Sequence, residues 1–187
     1  MDLFRTFEWR SGKKQVVAED LGLMTETVRQ LVRESGYPNM KVFQFGFDKE
    51  DVGFGNDYLT HNFTYNCFAY TGTHDNETIA GWYENLDEEM KTLVRDYISD
   101  HYTPDNKLHL SFVNTVMRSN ATTAIIPMQD YLGLDNKARV NVPGTNSGNW
   151  SWRLKENQLT EELKKEILAS TRRYGRLNWD NADHILN

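Results

Sequence analysis

The 187-residue chain contains a single cysteine, Cys67, so no internal disulfide can form. That usage fits a reducing cytoplasm better than a secreted, disulfide-stapled fold. No run approaches the ~18 apolar residues a membrane helix needs. The opening MDLFRTFEWRSGKK places no apolar segment behind a basic one, as an export signal would. Positive charge is sparse: the longest basic runs are Lys13-Lys14, Lys164-Lys165 and Arg172-Arg173. With a net charge of −6, nucleic acid is a poor main partner. Internal repeats, linkers and low-complexity segments are missing too. A chain that is 39% hydrophobic and 26% charged is neither disordered nor membranous, and residues 1–187 read as a single domain able to bury a core.

Aromatics are well represented at 12% and gather with Asn, Asp, Gly and His in NFTYNCFAYTGTHDN and GTNSGNWSWRL. Two readings stand side by side. Aromatic rings fill cores, yet flat apolar faces beside hydrogen-bonding side chains also suit sugars, whose C–H faces stack while their hydroxyls need partners.

The pattern along the chain alternates short apolar runs with helical periodicity. A strand is expected over 15–19, then a helix capped by Thr25 and closed at Ser35-Gly36, with Val28, Leu31 and Val32 on one face. MKVFQFGF reads as a strand ending near Phe47, and residues 48–65 as a loop. CFAYTGTHDN is a third strand running into acid, followed by a helix over NETIAGWYEN. Helices are expected over 87–100 and over 104–118, the latter with Thr103 as cap and Pro104 at its first position. TTAIIPM is a fourth strand, QDYLGL a short helical turn, 133–153 a loop, and the last helix begins at Thr160. Such alternation predicts a parallel sheet with right-handed crossovers. Polar residues cluster where strands end: Glu19-Asp20, His74-Asp75 and Gln129-Asp130. In parallel α/β folds that edge is where sites assemble. Asp20 is expected as the structural acid, with Glu19 pointing into the site.

Glu19 with His74-Asp75 suits glycosidic-bond chemistry, which uses two carboxyls around an oxocarbenium-like state. A metal site built from Glu19, His61, His74 and Asp75 is the competing reading, without HExxH or CxxC spacing behind it. The segments VVAEDLG, MKVFQFGF, YTGTHDNETIAGW, IIPMQDYLGL and RVNVPGTNSGNWSWRL, in this order, resemble the C-terminal part of the 4-α-glucanotransferases, the amylomaltase or disproportionating-enzyme family. The resemblance covers roughly residues 15–175.

The resemblance implies strands five to eight of a (β/α)8 barrel, an incomplete C-terminal half, since a whole barrel takes about 250 residues. It implies Glu19 as general acid/base and Asp75 as the carboxylate that stabilises the transition state, with His74 on the same ring. Asn141 and Phe45 or Phe47 would line glucose subsites. Glu77 stands where the family more often has Asp. The family's nucleophile, an Asp in an Arg-x-Asp-His segment, has no counterpart in these residues. The expectation is therefore a transferase part, inactive alone, whose partners are maltooligosaccharides or α-1,4-glucan and the missing N-terminal half. Asp48 and Asp130, near strand ends, are the substitutes if the chain carries a nucleophile of its own. No cofactor and no metal are implied. The alternative is a non-catalytic glucan-binding or assembly module.

Overall fold

The computed structural model describes residues 2–12, 14–22, 24–47 and 55–178, so Asp48 lies outside the described residues. The chain forms two compact units, Met1–Tyr70 with Asn120–Ile125, and Thr71–Ser119 with Ile126–Asn187.

The first unit is built on a parallel sheet. Strands β1 (Asn39–Val42), β2 (Cys67–Tyr70) and β3 (Thr123–Ile125) lie in that order, with Asn39 opposite Cys67 and Phe68 opposite Thr123. Val42, Phe43, Cys67 and Ala69 are fully buried at its centre. Helix α1 (Asp2–Ser11) precedes it and was not foreseen. Helix α2 (Glu26–Ser35) starts where expected, with Thr25 Oγ1 accepting from the Val28 N–H, and stops at Gly36 with φ of 69°. No residue of α2 is buried, and Val28 and Leu31 on its apolar face remain exposed.

Two strand expectations need correction. Of residues 15–19 only Ala18 pairs, in one parallel bridge to Asn39. The Asp20 carboxylate accepts from the Met40 N–H at 3.0 Å and from Asn39 Nδ2 at 2.9 Å. Beyond the Ala18 bridge this edge of β1 is thus held by a side chain rather than by a further backbone pair. The second strand stops at Val42 rather than near Phe47. Phe43–Phe47 wind into a tight turn that brings the rings of Phe43 and Phe47 to 5.2 Å and buries both.

The second unit is helical. Helix α3 (Ile79–Asn85) is capped by Thr78, and α4 (Glu88–Ile98) by Asp87, whose carboxylate accepts from the Met90 N–H at 2.9 Å. Met90, Val94 and Ile98, four apart, form the buried stripe of α4. Helix α5 (His109–Met117) carries Phe112, which packs against Trp82 and Tyr83 with ring centroids at 5.9 and 5.4 Å. The short α6 (Met128–Tyr131) follows β3, and α7 (Glu161–Arg173) begins at its Thr160 cap. The helix expected from Pro104 starts only at His109, and Thr103 is not its cap. Arg95 holds the intervening segment outside the helix: it donates to the carbonyls of Asp100 and Thr103, each at 2.9 Å, and pairs with Asp105. Among the described residues no helix is long and apolar enough to cross a membrane.

Candidate functional site

The turn after β2 carries the densest polar constellation. Thr73 leaves the sheet, and its N–H and hydroxyl both donate to Asn76 Oδ1, at 2.9 and 2.7 Å. The Asp75 N–H in turn donates to the Thr73 hydroxyl at 3.3 Å, and this closed turn fixes the two residues between Thr73 and Asn76, His74 and Asp75. Four residues further, the Ile79 N–H donates to Asp130 Oδ1 at 2.8 Å, so the first turn of α3 is tied down from α6. The loop is thus held at both ends by side chains rather than by sheet.

Asp75 and His74 are both about half exposed, with His74 Nε2 3.4 Å from Asp75 Oδ1, a distance that makes an ion pair when the imidazole is protonated. Asn141 Nδ2 donates to the same Oδ1 at 2.6 Å. Asn141 is itself placed by its N–H, which donates to the His74 carbonyl at 3.1 Å. Arg139 clamps the pair: it donates to the Asp75 carbonyl at 2.6 Å and to the Asn141 carbonyl at 2.9 Å. No described residue donates to Asp75 Oδ2, which leaves one carboxylate oxygen available to a ligand hydroxyl. Trp150 closes one side, its ring 5.0 Å from that of His74. A cleft of about 150 Å³ runs between His74, Asn76, Gln129, Asp130 and Arg139.

Asp130 sits in the wall of this cleft with 1% exposure. Burial raises its carboxyl to about 6, against the pull of the Ile79 N–H and the Thr71 hydroxyl, which both donate to it. Each of its oxygens thus accepts one hydrogen bond from the protein.

The structure therefore brings His74, Asp75 and Asn141 together in the second unit. Glu19 lies in the first unit, exposed, one residue before Asp20. Phe45 is half-buried with its ring against Tyr58 at 5.4 Å, while Phe47 is buried, which leaves Phe45 the more accessible of the two. Among the described residues no group of three His, Cys, Asp or Glu could hold a metal ion. Arg139, Trp150 and Asn76 were missed from the sequence. Only Asn76 left a signal, as the Asn of a Thr-x-x-Asn turn.

Residues 1–160 match the family model described as 4-alpha-glucanotransferase. The chain belongs to this family. It is 41% identical to a 4-alpha-glucanotransferase of Clostridium butyricum over 94% of its own length. It is also 41% identical to a chloroplastic 4-alpha-glucanotransferase of Arabidopsis thaliana over 88% of its length. An amylomaltase from Streptococcus agalactiae, solved in complex with acarbose, superposes with a TM-score of 0.86 at 35% identity, over 95% of this chain. The amylomaltase of Corynebacterium glutamicum shares the fold, with a TM-score of 0.58 at 16% identity. The chain spans about a third of the length of these relatives, 35% of the Clostridium protein and of the Streptococcus structure.

Proposed function

We propose that the chain supplies the acid/base and the transition-state stabiliser of an α-1,4-glucan transferase, and that the nucleophile comes from outside these residues. In this reading residues 1–187 are part of one catalytic domain, the half of a (β/α)8 barrel that contains its last four strands. The observation that carries it is the Asp75 constellation inside a chain of this family: a carboxylate with one oxygen held by Asn141 and His74 and the other available. The exposed apolar residues of α2 fit a fold whose remaining part covers them.

Glu19 protonates the glycosidic oxygen as the glucan leaves, then takes the proton of an incoming sugar hydroxyl. Asp75 holds hydroxyls of the ring whose anomeric carbon becomes cationic, and its negative charge stabilises that carbon as positive charge develops. Asn141 and His74 fix the carboxylate, so that little reorganisation is needed at the moment of reaction. Phe45 offers a glucose subsite. A retaining mechanism places the nucleophile about 5–5.5 Å from the acid/base, and without it the glucosyl unit has nothing to be captured by. The buried thiol of Cys67 suits work in the cytoplasm.

The test is complementation. This chain is mixed with the portion of a relative that lies outside the match, and maltooligosaccharide transfer is measured. Glu19→Gln should cut restored transfer by about 10²-fold or more while binding persists. Full restoration by that variant would refute the acid/base assignment. A second reading, a glucan-binding module without catalysis, predicts that complementation restores nothing while maltotriose still binds.

A further inference from the structure

We infer that Trp150 is the aromatic platform on which the sugar at this site stacks, a role that rests on the glucan reading above. Two non-glycine residues among those described have a left-handed backbone, Ser99 at φ 59° and Trp150 at φ 58°. Ser99 ends helix α4, where that conformation is the usual cap. Trp150 ends no helix, and a bulky residue in that region is an outlier that surrounding structure must hold.

The loop does hold it. The Trp150 N–H donates to the Val140 carbonyl at 2.7 Å, and Arg153 donates to the Trp150 carbonyl at 2.9 Å. Asn149 Oδ1 accepts from the Val142 N–H at 2.9 Å, and Asn149 Nδ2 donates to Thr145 Oγ1 at 3.0 Å, closing the loop on itself. All of this ordering presents an indole that is 58% exposed, where a core role would bury it. Its ring leans on His74 at 37°, and His74 leads to Asp75. The surroundings decide the occupant. An apolar peptide or lipid would want more apolar surface, whereas here one flat ring leans on His74, which leads to the Asp75 carboxylate and the Asn141 carboxamide bonded to it. A pyranose fits that mixture, with C–H bonds on the indole and hydroxyls on the polar groups.

Calorimetric titration of maltotriose into the intact chain tests this with Trp150→Ala, Trp150→Phe and Trp150→Gly. Ala and Gly should each weaken binding roughly ten-fold, while Phe keeps it within about three-fold. Trp150→Gly should melt no lower than the wild type, because glycine takes the left-handed backbone without strain. Loss of binding at unchanged or raised melting temperature is a result that a merely structural role does not give. Tryptophan emission should change with maltotriose in the wild type and not in Trp150→Phe. Wild-type affinity in the Ala and Gly variants, or equal losses for Phe and Ala, would overturn the platform alone. A wild-type chain that takes up no maltotriose would overturn the glucan reading and the platform with it.

Discussion

Substituting Gly81 by alanine is expected to destabilise the chain through a neighbour rather than through the helix that carries it. Gly81 lies in α3, where alanine would ordinarily gain about 1 kcal/mol in helix propensity. A Cβ at this position, however, would sit 2.3 Å from Asn136 Oδ1 and 2.4 Å from Asn136 Cγ. The Asn136 side chain must therefore turn away. It now accepts from the buried Thr78 N–H at 3.2 Å and donates to Glu77 at 2.6 Å. Losing these bonds costs about 1 kcal/mol each, with a further ~1–3 kcal/mol for the unpaired Thr78 N–H at the helix start. Against the propensity gain, the net is about 2–4 kcal/mol, roughly 4–16 °C in melting temperature for a chain of this size. Thermal melts of Gly81→Ala, Asn136→Ala and the double variant check it. Once Asn136 is gone, Gly81→Ala should cost nothing further or restore about 1 kcal/mol. Additive losses in the double variant would refute the reasoning, because the clash would then lie elsewhere.

Asp130 should leave a pH signature. Its folded carboxyl titrates near 6 against 3.8 for the ordinary group, so its contribution is complete below pH 3.8 and is lost as pH rises through about 6. Relative to Asp130→Asn, the wild type should gain on the order of 2–3 kcal/mol as pH falls from 7 to 4; a flat difference would contradict this. At Asp100 burial works against the charge, but hydrogen bonds from Ser111 and Thr103 outweigh it and hold the carboxyl at about 2. Its contribution is therefore full above pH 3.8 and is lost as pH falls through about 2, and Ser111→Ala should shrink that acid loss in melts between pH 2 and 5. Thr160→Ala removes the acceptor for the Leu163 N–H and should cost about 1 kcal/mol in denaturant unfolding. In complemented transfer, Asp75→Asn should lower kcat by about 10²-fold or more with a smaller change in KM, since the charge acts chiefly on the transition state.

Local chemistry was readable wherever a few neighbouring residues decide it. Thr25 and Gly36 bracket α2, and Thr160 opens α7, because a hydroxyl acceptor and a left-handed glycine satisfy helix ends by themselves. The parallel sheet followed from alternating periodicities. What distant groups decide could not be read. The partners that Asp20 finds, Asn39 and Met40, lie about twenty positions along the chain, and Arg95 holds the segment before α5 from another helix. His74 and Asp75 were visible as polar residues at a strand end, but the clamp that fixes them was not. Arg139 and Asn141 meet them from more than sixty positions away in sequence. Nor does any local rule announce that Asp130 is buried, or that Trp150 adopts a glycine-like backbone. Sites assembled from two loops hide in sequence because each loop looks ordinary alone.

The most direct measurement is product analysis after incubating maltotriose with the purified chain, alone and with the part of a relative that it does not span. The chain alone should give no products, and the mixture should give glucose together with longer maltooligosaccharides. Glucose and longer chains from the isolated protein would contradict the account, since a carboxylate within these residues would then be the nucleophile.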